Sequence, residues 1–316
     1  MRPFDYLLYA GVIIGWSTSW YPLSLQMGTI PAEVSLFWRF AAAALLTFGI
    51  ARGVGVALRY GRADHLRFAC LGVVLFSTNF AFFYNASLYG ASGLLAVILS
   101  TTSLVNVLMV AVVSRRRPPV QQLGAAVTGL AGLGLIFLPE LRAAETIVMA
   151  ILLGGAGTLL FCTGNLLSAA TQQRGVHVLA STCWGMLYGT AFMGLVSLVR
   201  GHEFTIDLSP LYLGSLAWLV IVSSVLALAS YLTLVGRIGP GQAGYATVIF
   251  PVFALLISTF MEGYQWSLLA IAGLVLVMAG NVIMIRARGQ QTIRNCRFSR
   301  GSRRVPRGIR RPAPLM

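Results

Sequence analysis

Polar and aromatic side chains recur at helical spacing inside otherwise apolar stretches of this sequence. Trp16, Ser19 and Trp20 stand at positions i, i+3 and i+4, so they share one face of a helix. A polar group that faces lipid is costly and usually turns towards a bundle interior or a water-filled cavity. The spacing therefore predicts a neutral, hydroxyl-rich and aromatic lining that binds a small molecule.

The same reasoning, applied to seven stretches, selects candidate substrate-binding residues with hydroxyl, amide, thiol or aromatic side chains. Pro251 joins them because a proline interrupts the helical hydrogen bonds and frees a backbone carbonyl. Packing is the alternative role for any single Ser or Thr, since these hydroxyls commonly bond back to the preceding turn. The candidates are Trp16, Ser19, Trp20, Asn79, Phe83, Asn85, Ser100, Thr101, Thr102, Asn106, Cys162, Asn165, Trp184, Tyr188, Ser230, Tyr231, Thr247, Phe250 and Pro251.

Arg39 is a charged residue inside an apolar stretch, about 10 Å from the start of that stretch by helical rise. A charge within a membrane span is a functional-site hypothesis. Its guanidinium either attracts a substrate carboxylate or acts as a structural or gating clamp. In the second case it ties to a helix C-terminus or to Glu262.

Catalytic and metal-binding patterns are missing from the sequence. It contains no GxxxxGK[ST], HExxH or GxSxG motif, and its three histidines lie at the edges of apolar stretches. The four cysteines show no CxxC spacing. We therefore predict a protein that is not an enzyme and holds neither cofactor nor metal. No Asp or Glu lies in the middle of a stretch, so we expect coupling to an ion gradient to be weak or absent.

The 316 residues are 57% hydrophobic and only 10% charged, whereas a soluble domain carries about 25% charged residues. The apolar runs have the length that a helix needs to cross ~30 Å of hydrocarbon, and barrel strands would be about ten residues long. The sequence therefore predicts an all-α polytopic membrane protein with ten transmembrane helices. The predicted spans are Tyr6–Met27, Ala32–Ala51, Leu66–Ser87, Gly93–Val113, Val120–Leu138, Thr146–Ala169, Val178–Val199, Leu211–Val235, Gln242–Met261 and Ser267–Ile285.

The basic residues predict the orientation of these spans. All 23 are arginines, and the net charge is +15. With ten crossings, one side holds both termini and every arginine except Arg39, Arg142 and Arg200. Cytoplasmic loops are enriched in arginine, so both termini are predicted to be cytoplasmic. The positive charge thus has a topological origin, and we expect no nucleic-acid partner.

Two segments of the sequence, 81–98 and 228–249, resemble one another. Each has a tyrosine near a helix end, a turn that contains glycines, and a helix start made of small residues. Because each unit contains five helices, an odd number, the second copy enters the membrane in the opposite sense. We predict inverted five-helix repeats at residues 6–138 and 146–286, followed by a basic, disordered cytoplasmic tail at 287–316.

The pattern resembles the EamA type of the drug/metabolite transporter superfamily. The resemblance rests on Trp16, the Arg39–Phe40 pair, the turn after the third helix, Phe250–Pro251 followed by Glu262, and the glycine-spaced closing helices. It implies a central cavity within the first four helices of each half, with the fifth helices peripheral. Since Arg39 matches a family position regardless of substrate, we favour the structural or gating role for Arg39 and Glu262. The sequence departs from the family at Ser100–Thr102, where a proline is common.

The resemblance also implies a function. Relatives with this architecture resemble exporters of amino acids, including aromatic ones, and of other small metabolites. We expect a secondary transporter in the inner (cytoplasmic) membrane that exports neutral, preferentially aromatic, amino acids by alternating access. Its partners are the small-molecule substrate and the lipid bilayer. The alternatives are an importer, a multidrug or cation exporter, and a membrane enzyme or receptor that transports nothing.

Overall fold

The computed structural model describes residues 3–28, 30–115, 119–143, 146–231, 233–234, 237 and 246–301. These residues form helices joined by turns and short loops, and none of them lies in a β-strand, so the all-α prediction is confirmed for them. The helices are α1 (Pro3–Ser17), α2 (Trp20–Ser24), α3 (Ala32–Gly53), α4 (Arg62–Ala86), α5 (Ser92–Ser100), α6 (Thr102–Ser114), α7 (Val120–Ala143), α8 (Ile147–Gln172), α9 (Val178–Val199), α10 (Pro210–Tyr231), α11 (Ala246–Met261) and α12 (Leu268–Gly301).

Six helices in the described ranges are long and apolar enough to cross a membrane, namely α3, α4, α7, α8, α9 and α10. The helices α3, α9 and α10 have 22 residues each. That length corresponds to about 33 Å, slightly more than the ~30 Å thickness of the hydrocarbon layer. Each of the six coincides with a predicted span to within a few residues. The chain is therefore a multi-pass membrane protein.

Two predicted spans, Tyr6–Met27 and Gly93–Val113, are not continuous helices. The first breaks between α1 and α2, because Pro22 has no N–H to bond the carbonyl of Thr18, four residues earlier. The second breaks at Thr101, whose hydroxyl donates to the carbonyl of Ile98 at 2.7 Å. Such side-chain bonds compete with the helical pattern of the backbone.

Two of the long helices contain π-helical segments, Val74–Thr78 in α4 and Leu219–Ala227 in α10. A π segment adds a residue to the helical turn and often occurs at functional sites. In α4, the Ser77 hydroxyl lies 2.8 Å from the Gly72 carbonyl and 2.7 Å from the Val73 carbonyl. Leu75 and Leu219 from these segments both reach the central cavity described below.

The helices α7 and α12 pack along each other through glycines. A Cβ atom at Gly132 would lie 2.6 Å from the carbonyl oxygen of Gly273, and one at Gly280 would lie 2.8 Å from that of Ala125. Only glycine permits backbones to approach this closely. The two closing helices that the sequence singled out by their glycine spacing are therefore in direct contact.

The helix α12 continues to Gly301 and so includes residues 287–301, where the sequence analysis expects disorder. This stretch contains no proline, and the next proline along the chain is Pro306. It is rich in Arg and Gln, which are good helix formers. Low hydrophobicity was therefore a poor guide to the local backbone. The remainder of the predicted tail, 302–316, lies outside the described residues.

Candidate functional site

A cavity lies between the two largest groups of buried apolar side chains. It is partly open to solvent, and water-sized molecules can occupy about 80 Å³ of it. The helices α1–α5 and α8–α10 contribute to its wall, which consists of Trp16, Ser19, Trp20, Leu23, Arg39, Phe40, Leu75, Phe76, Asn79, Phe80, Phe83, Leu99, Phe161, Met186, Leu219, Ser223, Ser224 and Leu228.

Aromatic rings form much of this wall. The rings of Trp20 and Phe83 meet edge to face, with centroids 5.3 Å apart. The Trp16 ring lies 5.0 Å from that of Tyr231 and 6.1 Å from that of Phe250. These edge-to-face and tilted contacts between rings are favourable, and they hold the side chains in place. The wall therefore offers a preformed apolar surface to an aromatic or aliphatic ligand.

Arg39 supplies a positive charge to the wall, and its side chain is only 1% exposed. Its Nε donates to the Ser224 hydroxyl at 3.1 Å, and its terminal nitrogens donate to Ser223 at 3.3 Å and Tyr84 at 3.4 Å. The guanidinium carbon lies 4.6 Å from the Phe80 ring centroid, within range of a cation–π interaction. The partners of this charge are thus neutral hydroxyls and rings.

Asn79, in the same wall, has a side-chain oxygen without a hydrogen-bond partner in the described part of the chain. The residue is 1% exposed, and its Oδ1 accepts no hydrogen bond from any described residue. Buried amide oxygens nearly always have a partner. The hydroxyl of neighbouring Ser19 is already committed, since it donates to the Gly15 carbonyl. Oδ1 of Asn79 is therefore a buried acceptor without a partner among the described residues, on a residue that lines the cavity.

A second, smaller cavity adjoins the first and shares Leu75, Phe76, Phe161 and Leu228 with it. Its wall is more polar, with one amide, one phenol and three aliphatic hydroxyls from α8, α9 and α10. These are Asn165, Ser168, Ser181, Thr182 and Tyr231. The predicted residues Asn165 and Tyr231 therefore line this side chamber instead of the central cavity.

Several other predicted site residues bond to nearby backbone or pack in the core. The hydroxyls of Ser100, Thr101 and Thr102 each donate to a carbonyl three residues earlier. The Asn85 amide donates to the Ala81 carbonyl at 2.7 Å. Phe250 is a buried core residue, whose carbonyl accepts from the Ser17 hydroxyl at 3.1 Å.

The remaining candidates in α6, α8, α10 and α11 are placed as follows. The Cys162 thiol lies 3.6 Å from the Thr102 carbonyl. The Ser230 hydroxyl packs close to Gly11. Pro251 lies inside α11, in its buried part. The side chains of Asn106 and Thr247 lie outside the described parts of the structure.

Trp184 and Tyr188 share a face of α9 as predicted, but that face meets another group. The Trp184 indole donates to the Leu58 carbonyl at 3.1 Å, and the Tyr188 hydroxyl lies 3.1 Å from Nδ1 of His65. The His65 and Trp184 rings are 4.6 Å apart. These residues tie α9 to the start of α4 and to the loop before it, away from the central cavity.

Glu262 joins three helices through hydrogen bonds. Its Oε1 accepts from the Ser24 hydroxyl at 3.1 Å, and its Oε2 accepts from the backbone N–H and the hydroxyl of Ser92, both at 2.9 Å. The Ser258 hydroxyl also donates to Oε2. The clamp considered between Arg39 and Glu262 is therefore absent from the described contacts. Glu262 instead binds the N-terminus of α5, where the helix dipole favours a negative charge.

The sequence analysis missed most of the apolar wall. Phe76, Phe80 and Phe161 line the cavity, but the search for polar faces ignored rings without polar atoms. The helical spacing of Phe76, Phe80 and Phe83 around Asn79 was the available signal. Ser224, which binds Arg39, gave no signal by spacing, because it is 185 residues away in sequence.

Comparison with known proteins finds a shared fold and a family match in the second half of the chain. A crystal structure of another protein shares the fold, with a TM-score of 0.63 and 17% sequence identity over 90% of this chain and 96% of the other. No curated protein matches the sequence. Residues 148–286 match the family model of EamA-like transporters. The matched region includes α8 to α11 and most of the apolar part of α12.

Proposed function

We propose that the protein is a secondary transporter that exports neutral amino acids, preferentially aromatic ones, across the cytoplasmic membrane. The observation that carries this proposal is the central cavity, which combines the rings of Trp16, Trp20 and Phe83 with the buried charge of Arg39. The rings suit an aromatic side chain, and the charge suits a carboxylate. A substrate with both groups satisfies the whole wall.

The proposal includes two inverted five-helix halves that alternate in exposing this cavity. Support comes from the π-helical segments, since Val74–Thr78 and Leu219–Ala227 lie at equivalent places in the two sequence repeats. The contact between α7 and α12, the closing helices of the proposed halves, is further support. Transporters built from inverted repeats bind their substrate at the interface between the repeats.

In the proposed topology both termini are cytoplasmic, and side-chain contacts between helices lie towards both faces of the membrane. Glu262 and the Glu33–Arg200 ion pair lie towards the outer face. The Asp5–Arg237 ion pair, 2.7 Å long, lies towards the cytoplasm. Alternating access then requires that one set of ties opens while the other stays closed.

We propose that transport runs down the substrate gradient without a coupled ion. The charged side chain among the described residues that line the cavity is Arg39, a cation, and none of these lining residues is acidic. Ion-coupled transporters commonly carry an acidic residue in the membrane for this purpose. The positive wall also disfavours organic cations, the substrates of a multidrug or cation exporter.

Counterflow in proteoliposomes tests the proposal. Vesicles with the purified full-length protein are preloaded with unlabelled phenylalanine, tryptophan, leucine or an organic cation, and uptake of labelled phenylalanine is followed. We expect uptake driven by the neutral amino acids and none driven by the cation. Protein-free vesicles are the control. No counterflow with any neutral amino acid would refute the proposal, and exchange of labelled organic cation against the same unlabelled cation would then replace it by cation export.

A further inference from the structure

Resting on the proposed function, we propose that Arg39 and Asn79 divide the recognition of a zwitterion between them. Arg39 binds the carboxylate of the amino acid, and the Asn79 side-chain oxygen accepts from its ammonium group. Both residues line the central cavity, and both are 1% exposed. The pair would thus select α-amino acids over compounds that carry one of the two charges.

The first argument concerns the hydrogen-bonding capacity of Arg39. A guanidinium has five N–H donors. Three of them are used, on the hydroxyls of Ser224, Ser223 and Tyr84. Two donors therefore remain for a ligand, which is the number that a bidentate carboxylate requires.

The second argument concerns the charge of Arg39. Of the ion pairs among the described residues, none includes Arg39. A buried cation without an anionic partner is costly, and a ligand carboxylate removes this cost on binding. Hydroxyls and the Phe80 ring hold the side chain in place without competing for the carboxylate.

The third argument concerns Asn79, whose unpaired Oδ1 needs a donor. Asn79 lies one helical turn before Phe83, whose ring meets that of Trp20 at 5.3 Å. An ammonium group that bonds to Oδ1 would therefore lie near aromatic rings, which also attract cations. A carboxylate could not bond to Oδ1, because this oxygen only accepts hydrogen bonds.

A purely structural role is the competing explanation for Arg39. Its bonds connect α3 to α10 and α4, so its loss could loosen the bundle and weaken binding of every ligand alike. A set of analogues on one phenyl scaffold separates the two roles. Phenylalanine carries both charges, phenethylamine carries only the ammonium group, and 3-phenylpropionate carries only the carboxylate.

The experiment measures equilibrium binding of these three compounds to the purified full-length protein. We expect Arg39→Gln to weaken binding of phenylalanine and 3-phenylpropionate about 10- to 100-fold, as one charge-assisted contact is lost, and to leave binding of phenethylamine equally tight or tighter, because a repelling charge is removed. Asn79→Leu should weaken phenylalanine and phenethylamine and spare 3-phenylpropionate. Arg67→Gln, which removes a partly exposed arginine paired with Asp64, is the matched control and should change none of the three.

Equal weakening of all three compounds in Arg39→Gln would assign Arg39 a structural role and overturn the proposal. No weakening, or no binding of phenylalanine to the wild-type protein, would do the same. If Arg39→Gln fails to fold, Arg39→Lys keeps the charge and should weaken the two carboxylates by a smaller factor. If the two variants weaken the analogues as expected but the wild-type protein shows no counterflow, the binding site is supported and only the transport proposal is refuted.

Discussion

Replacing Glu262 by glutamine should open one face of the protein. The carboxylate holds Ser24 in α2, Ser92 at the start of α5 and Ser258 in α11. Glutamine has nearly the same shape, and its amide oxygen can still accept from the Ser92 N–H while its amino group turns to Ser24. The substitution therefore removes the negative charge and leaves the packing of the three helices in place.

The free-energy change can be estimated from the hydrogen bonds whose acceptor changes from a carboxylate to a neutral amide. Hydrogen bonds to charged groups contribute ~1.5–3 kcal/mol, and neutral ones ~0.5–1.5 kcal/mol, so the bond to the Ser92 N–H weakens by about 1 kcal/mol. The interaction with the N-terminus of α5 contributes a further ~0.3–1 kcal/mol. A total of ~1.3–2 kcal/mol shifts an equilibrium between closed and open states about 10- to 30-fold.

Labelling of a cysteine in the cavity measures this shift. Ser19→Cys is introduced into a protein whose native cysteines are replaced, and a membrane-impermeant maleimide is added to right-side-out vesicles. We expect Glu262→Gln to raise the labelling rate about 10- to 30-fold. Glu203→Gln, at an exposed carboxylate in the loop before α10, is the matched control. An unchanged rate, or an equal rise in the control, would refute the assignment of Glu262 as a closing tie.

Three further predictions concern packing, a buried phenol and ion coupling. Gly72→Ala should lower the melting temperature in detergent, because the added Cβ atom would lie 2.6 Å from the Gly189 nitrogen. Gly49→Ala is the control, since no atom lies within 4 Å of the added Cβ, and it should raise the melting temperature slightly. Burial raises the pKa of Tyr264, in the loop after α11, to about 12, and the charge of Glu140 adds to the effect. The unfolded chain loses this proton near pH 10, so wild-type stability should fall as the pH rises from about 10 to 12, and Tyr264→Phe should abolish that part of the fall. An imposed proton gradient should leave the accumulation of phenylalanine in vesicles unchanged, and a gradient-driven rise would contradict uncoupled transport.

Hydropathy alone predicted the six long helices, because burial in lipid requires an uninterrupted apolar length. The break before α2 was also predictable, since Pro22 lies inside the first run. The break at Thr101 was not, because threonine occurs within helices as well. A hydropathy profile averages over such single residues, and it therefore misses the irregular turns that shape the cavity.

Helical spacing predicts which residues share a face, but it does not identify the neighbour of that face. It was sufficient for Trp16, Ser19 and Trp20, which line the cavity together. It was insufficient for Trp184 and Tyr188, whose shared face meets His65 and the loop before α4. The neighbour depends on contacts between residues far apart in sequence, and no pattern within one helix contains that information.

The two ends of the cavity provide a direct test of the inverted arrangement. In the proposed topology the Asp5–Arg237 ion pair closes the cytoplasmic end, opposite Glu262. This pair is partly exposed, so Asp5→Asn should cost about 1 kcal/mol and raise labelling of the Ser19→Cys thiol about fivefold. The rise should occur in inside-out vesicles for Asp5→Asn and in right-side-out vesicles for Glu262→Gln. If both substitutions raised labelling from the same side, the ties would not lie at opposite faces, and alternating access between inverted halves would be excluded.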